Sequence, residues 1–424
     1  MSKRTTSDHS LVSEVSCPHC WGKFVPERVL FVAEHTDLTG DELLGDDVMT
    51  RFRPSRFNPD GDALDARGMP CRTLACPECH RIVPRELLMA EPLILSTIGV
   101  PSSGKSYYLA ALISELRELF AREFAINFTD VDAAMNAILL GYERRLFGLG
   151  DSEKLTSLDK TQMDGELYKA VRMNDQTVML PQPFLFSMKP VKAKGAGRVM
   201  CLYDNAGEHF LPGENTSASR GTQHMAHAKM LLYLYDPIQN PSFRRYCAAV
   251  SSDPQIQDQV VAEQLPQEAI LSEAARRIRD LKRLRPSDSV DKVLMVLVTK
   301  ADIWAAGNGG AVARILEREP FIPARKTKKG VARVDTDRIM EASNLVRDLM
   351  LQHDPNFVTT AEDVGDPVVY LPVSALGCSP EADTTDGGTL KVRPKNLSPR
   401  WVTSPILYAL STRTKDFFGN SKSR

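Results

Sequence analysis

Residues Gly99 to Ser106 read Gly-Val-Pro-Ser-Ser-Gly-Lys-Ser, a G-x-x-x-x-G-K-[ST] spacing suited to wrapping backbone round a phosphate. The apolar run Leu93–Ile98 precedes it as a buried strand. Tyr107 to Phe120 follows, with Leu109, Leu112, Ile113, Leu116 and Phe120 at helical spacing. Strand, glycine loop and helix together supply a mechanism. The stretch holding Gly99, Pro101, Ser102, Ser103 and Gly104 lies close round the anion, whose charge faces the helix N-terminus. Lys105 reaches the outer phosphates, and the Ser106 hydroxyl is placed to ligate magnesium. The chemistry expected here is binding of a nucleoside triphosphate.

Three further short motifs each follow an apolar run. Asp204-Asn205-Ala206-Gly207 closes Val199–Tyr203 and offers a magnesium carboxylate at Asp204 and a γ-phosphate-sensing N–H at Gly207. Thr299-Lys300-Ala301-Asp302 follows Val293–Val298, and Ser374-Ala375-Leu376 follows Val368–Val373. Ligands of open α/β sheets bind at such strand ends.

In this order the four motifs resemble the series of the TRAFAC-class GTPases, over about residues 92 to 378. The resemblance implies an α/β, P-loop GTPase fold: a largely parallel sheet with helices on both faces, here with helical insertions. Asp302 then reads the base. A carboxylate accepts two hydrogen bonds, and guanine offers two adjacent donors where adenine presents an acceptor. The resemblance also implies that the Lys300 stem packs along the base and that the Ala375 N–H meets the guanine oxygen. Thr299 stands where Asn is commoner, and Leu376 where Lys is usual. Glu208 follows Gly207 where Ras-like members carry Gln, with His209 next; either side chain could orient a water. Slow GTP hydrolysis with activation by a partner is expected. Arg220 could act in cis, although a solvated loop charge is the plainer reading. The magnesium-binding Thr of the first switch is Thr156, Thr161 or Thr177.

A second chemistry sits near the N-terminus. Cys17-Pro18-His19-Cys20 and Cys76-Pro77-Glu78-Cys79 are two C-x-x-C knuckles, expected to form a structural four-cysteine zinc site. The 55 residues between them exceed the usual spacing, but closure entropy grows slowly with loop length. His19, Cys71 and His80 are substitute ligands if a knuckle is incomplete. The cofactors expected are magnesium and zinc, with GTP as substrate.

The elements that must position these residues divide the 424-residue chain into a zinc-ribbon-like module at 1–90, a GTPase domain with insertions at 91–411, and a polar tail at 412–424. Expected strands are Leu93–Ile98, Phe184–Met188, Arg198–Tyr203, Met230–Tyr235, Lys292–Val298 and Val368–Val373. Expected helices include Pro266–Arg285, Arg338–Leu351 and an insertion around Asp130–Arg145. No internal repeat is evident. Net charge is −1, so no global field recruits nucleic acid. The basic stretch Arg276–Arg285 reads as a solvated helix face, and Arg325–Lys329 as a surface loop. No apolar run has bilayer length, and the first ten residues lack a signal core, so a cytoplasmic setting without membrane contact is expected.

The combination of a split four-cysteine module and an insertion-rich GTPase layout is also similar to bacterial double-GTPase and related GTPases of multi-gene conflict systems. That similarity implies protein partners and a nucleotide-gated molecular switch. Two other functions fit the same residues: a GTP-bound scaffold that does not hydrolyse, motivated by Glu208, and an ATPase whose zinc module binds nucleic acid.

Overall fold

The computed structural model describes residues 11–89, 92–148, 150, 152–158, 168–173, 176–191, 197–204, 223–257, 266–285, 288–385, 387–413 and 417. Seven strands form its main sheet: β1 (Leu93–Ile98), β2 (Ile126–Asp130), β3 (Phe184–Pro190), β4 (Arg198–Tyr203), β5 (Met230–Tyr235), β6 (Val293–Val298) and β7 (Val368–Pro372). Their order is β2-β3-β4-β1-β5-β6-β7. Strands β4, β1, β5, β6 and β7 pair in parallel, while β3 runs antiparallel to both its neighbours. The molecule is thus a mixed α/β fold built on a mostly parallel sheet.

Near-continuous apolar strands follow from burial on both faces. In β5, Leu231, Tyr233 and Tyr235 enter one core while Met230, Leu232 and Leu234 enter the other. The helices are α1 (Lys105–Leu119), α2 (Ala137–Phe147), α3 (Gln223–His227), α4 (Pro241–Val250), α5 (Gln267–Lys282), α6 (Ala301–Trp304), α7 (Ala311–Leu316), α8 (Thr336–His353), α9 (Pro355–Val364) and α10 (Ser404–Arg413). Apolar residues of α1, α10 and the first half of α8 share the core of Met230 and Leu232; those of α5, α9 and the second half of α8 (Val346, Leu349, Met350) share the core of Leu231 and Tyr233. No helix of the described residues is long and apolar enough to cross a membrane.

All six expected strands occur, three with the expected bounds and three with one end moved by a residue or two. Of the stretch expected to be helical around Asp130–Arg145, the part from Ala137 is helix, while Asp130 closes strand β2. Ile126 and Phe128 alternate inward with exposed neighbours, and β2 pairs with β3 across five residues. Helix begins only at Ala137, after Asp132 accepts the N–H groups of Ala134 and Met135 in a turn. A two-stranded hairpin, Tyr168–Met173 with Gln176–Pro181, follows.

The N-terminal part is assembled from short hairpins. Leu30–Val32 pairs with both Leu74–Ala75 and Arg51–Phe52, which returns the second knuckle to the first across the long intervening stretch. The two knuckles fold alike. Val15–Ser16 pairs with Lys23–Phe24, and Leu74–Ala75 with Ile82–Val83. This is a short local repeat: Cys-Pro-x-Cys recurs, and a Val-Pro pair follows each knuckle, at Val25-Pro26 and Val83-Pro84. Cys17, Trp21 and Cys76 join one hydrophobic core with Leu185, Val199 and Tyr203 of the sheet. Lys189 and Glu86 pair at 2.8 Å along the same contact. The expected boundary at 90/91 lies outside the described residues, as does the tail beyond α10 except for buried Phe417.

Candidate functional site

Because β4, β1, β5, β6 and β7 are parallel, their C-terminal ends deliver the segments that follow them to one edge of the sheet. The loop after β1 is sharply curved. Ser102 and Gly104 take φ of +62° and +87°, and a Cβ on Gly99 would meet the Leu234 carbonyl oxygen at 2.7 Å. The Lys105 ammonium donates to the Gly99 and Val100 carbonyls, 2.9 Å each, and so braces the loop from inside. No side chain caps the N-terminus of α1, so its first-turn N–H groups suit an anion.

Asp204, at the end of β4, is 4% exposed. Its Oδ1 accepts from the Thr97 hydroxyl at 3.3 Å, and that hydroxyl also lies 3.0 Å from the Tyr203 carbonyl. Burial pushes the Asp204 carboxyl up to about 6, against the pull of the Lys105 charge and the Thr97 bond. Ionised, a carboxylate so buried would be stabilised by a nearby cation. Thr97 was absent from the sequence reading; its signal is a hydroxyl residue inside an otherwise apolar strand.

The third and fourth motifs are stitched together. The Ala301 N–H donates to Val373 O at 3.1 Å. The Ser374 hydroxyl donates to Asp302 Oδ1 and accepts from the Gly377 N–H at 2.8 Å. Asp302 keeps an exposed face. Thr299 Oγ1 donates to Tyr235 O at 3.0 Å, and Lys300 takes φ of +55° to carry the chain out of β6. Ala375 packs against the core beside α1. Leu376, standing where Lys is usual in the resembled family, joins Tyr107, Ala110, Leu146 and Val392 in a small apolar cluster.

Asp236 and Gln239, two residues missed by the sequence reading, connect these loops. Lys300 Nζ lies 2.8 Å from Asp236 Oδ2. Gln239 Nε2 donates to the same oxygen and to Pro101 O, 3.1 Å each. An acidic residue directly after a buried parallel strand was the available signal.

Gly207, Glu208, His209, Arg220 and Thr161 lie outside the described residues, as does the Thr177 side chain. Thr156 is held by reciprocal 2.9 Å backbone bonds with Val392, and the Leu158 N–H donates to the Tyr107 hydroxyl at 3.0 Å. Beside Thr156 a cavity of about 450 Å³ is lined by Arg144, Arg145, Lys154 and Lys391. Lys391 is committed to Asp383 at 2.9 Å and Arg145 to Ser157 O. In the basic stretch Arg276–Arg285, Arg276 and Arg277 share Glu273, and Arg279 pairs with Asp363.

The four knuckle cysteines converge, with all four sulfurs within 4.8 Å of one another. Cys17–Cys79 and Cys20–Cys76 are each 3.8 Å apart. Tetrahedral zinc with Zn–S near 2.3 Å spaces its sulfurs by about 3.8 Å, so the cluster fits a metal such as zinc. Backbone N–H groups of His19 and Glu78 point at Cys17 and Cys76 sulfur, both at 3.3 Å. Burial, then neighbouring thiols, pushes the Cys17 thiol well above its ordinary value. A coordinated metal reverses that, because coordinating thiols are deprotonated. The substitute ligands are engaged elsewhere: His19 Nε2 with Ile82 O, His80 Nδ1 with Asp41, and Cys71 near Asp65.

No family model matches the chain. Over 247 residues it is 23% identical to SaeC of Mycolicibacterium smegmatis (strain ATCC 700084 / mc(2)155), a protein provisionally named for ESX-1 scaffolding and assembly. The match covers 54% of this chain, which spans 58% of that protein's length.

Proposed function

We propose that the chain is a P-loop GTPase of TRAFAC type, a GTP-dependent switch with slow intrinsic hydrolysis and a structural zinc module. The supporting observation is the gathering of the Lys105 loop, Asp204 and the interlocked Thr299–Asp302 and Ser374–Leu376 segments at one sheet edge. Lys105 and the α1 N-terminus would hold the phosphates, and Asp302 would select guanine. Ser106 and Asp204 would hold magnesium, which when bound neutralises phosphate charge. Glu208 or His209 would orient the attacking water. Loss of the γ-phosphate would release the segment at Gly207 and alter a protein-binding surface.

Protein partners in a multi-component system fit this reading, with GTP and GDP as the small ligands. The scaffolding name of the similar mycobacterial protein supports such partners. A defence or conflict role, or a part in scaffolding and assembly like that in the name of the similar protein, would then be the output of the switch. The second reading is a GTP-bound scaffold without turnover, favoured by Glu208 in place of Gln. An ATPase with a nucleic-acid-binding zinc module fits less well, since Arg276, Arg277 and Arg279 of the basic stretch are held in ion pairs.

Competition binding decides between bases: GTP should displace a fluorescent guanine nucleotide and ATP should not, with binding lost in Lys105→Ala. Phosphate release above the Lys105→Ala background in single turnover would eliminate the scaffold. Equal displacement by ATP would overturn the GTPase reading.

A further inference from the structure

The metal knuckle reaches the candidate magnesium carboxylate through one side chain. Trp21 follows Cys20 and adopts φ of +58°, with its N–H donated to Cys17 O at 3.0 Å. His80 occupies the equivalent place in the second knuckle, with φ of +59° and its N–H on Cys76 O at 3.0 Å. The left-handed backbone is therefore a property of the knuckle, and the knuckle sets where the Trp21 indole points.

That indole lies 6.4 Å from the Tyr203 ring, 6.2 Å from His224, and 6.3 Å from His227 with planes 10° apart. Tyr203 and His224 stack at 4.5 Å. The Tyr203 hydroxyl also donates to Pro18 O inside the first knuckle. Tyr203 immediately precedes Asp204, and the Thr97 hydroxyl bonds to the Tyr203 carbonyl and the Asp204 carboxylate together. His224 and His227 belong to α3, the first described element after Asp204. One tryptophan thus packs against the described residues on both sides of the interval between 204 and 223.

Filling the core would account for the burial of Trp21, but not for this choice of neighbours. Apolar side chains would serve that purpose equally, whereas here three aromatic rings with polar atoms converge from the strand end and the helix. We propose that Trp21 is a positioning residue through which metal occupancy of the four cysteines sets the geometry of Asp204, coupling that metal site to magnesium-dependent nucleotide binding. The inference rests on the proposed nucleotide reading. Such coupling is reciprocal: whatever zinc contributes to magnesium-nucleotide affinity, magnesium-nucleotide returns to zinc affinity.

The test uses the full zinc-loaded chain and a fluorescent, non-hydrolysable GTP analogue, with its affinity measured across a magnesium titration. Trp21→Ala should raise the magnesium concentration at half-maximal tightening about tenfold, within the usual range of coupling. Its magnesium-free affinity should stay within twofold of the parent, and Trp21→Phe should restore the parent midpoint. Tyr203→Phe, which removes only the hydroxyl bonded to Pro18, should shift the midpoint in the same direction and guards against a misfolded alanine variant. A purely structural role would lower thermal stability and leave the magnesium midpoint unmoved. An unmoved midpoint in Trp21→Ala, or in Tyr203→Phe if the alanine variant does not fold, overturns this inference alone. Failure of the parent to bind the analogue overturns the nucleotide reading and this inference with it.

Discussion

The Lys300 ammonium stands 2.8 Å from the Asp236 carboxylate, and the Asp236 side chain is 1% exposed. The same carboxylate accepts from Gln239, which also bonds the Pro101 carbonyl. The loop after β1 and the loop after β6 therefore share one charge pair. Removing either partner leaves a buried or half-buried charge uncompensated, and that costs more than the pair itself contributes.

Asp236→Ala should lower unfolding free energy by about 2–3 kcal/mol, below the fully buried range because Lys300 retains some solvent contact. Asp236→Asn should lose less, since it keeps an acceptor for the Ile238 N–H. Urea denaturation of both variants checks this. Equal losses would mean that the charge alone holds the two loops together, and an unchanged Asp236→Asn would mean that packing and the Ile238 bond do so instead.

The cysteine cluster should bind one zinc per chain. Cys76→Ser should abolish it, whereas Cys71→Ser and His19→Ala should not, because their side chains face Asp65 and Ile82 O. Metal analysis of the purified variants is the measurement. A ligand present at a thousandfold above its dissociation constant stabilises the fold by about 4 kcal/mol, so chelation should lower the melting temperature clearly. Zinc retained in Cys76→Ser would refute the four-cysteine assignment.

Asp204 sets a pH dependence. Its folded carboxyl is raised to about 6 by burial, above an unfolded value of 3.8. A raised carboxyl prefers its neutral form in the fold, so ionised Asp204 costs stability at neutral pH. That cost disappears as pH falls from about 6 towards 3.8. Asp204→Asn should therefore raise the melting temperature in the absence of divalent cation, equivalent to about 3 kcal/mol at most. If Asp204 ligates magnesium as proposed, the ion competes with the same proton, and its apparent affinity should fall about tenfold per pH unit below 6. A magnesium affinity flat from pH 7.5 to 5 would remove Asp204 from the ligand set.

Much of the sheet was legible in the sequence because parallel strands buried on both faces are written as apolar runs, as in Met230–Tyr235. The cysteine cluster was legible as ligand chemistry, but its closure was not. Leu30–Val32 brings the knuckles together through strands of two or three residues, too short to carry a periodic signal. Strand β2 was hidden because only two of its five residues, Ile126 and Phe128, turn inward. Asp236, Gln239 and Thr97 escaped because each acts across the sheet edge, where partners 64, 138 and 107 residues apart meet only in the fold. Leu376 read as a departure from the family pattern and is explained by what it packs against, a hydrophobic cluster on α1 and α2.

Base selection offers the sharpest remaining check on Asp302. Its carboxylate is steadied by the Ser374 hydroxyl, which is itself fixed by the Gly377 N–H, so the acceptor is held in place before any ligand arrives. Guanine presents donors at its ring nitrogen and exocyclic amine; xanthine presents an oxygen where that amine stood. An amide at position 302 offers both a donor and an acceptor. Asp302→Asn should weaken GTP binding by about two orders of magnitude or more and strengthen xanthosine triphosphate binding, while Asp302→Ala should weaken both. Competition against a fluorescent guanine nucleotide measures each. Selectivity unchanged in Asp302→Asn would place the base elsewhere and leave Asp302 as a strut between the two loops.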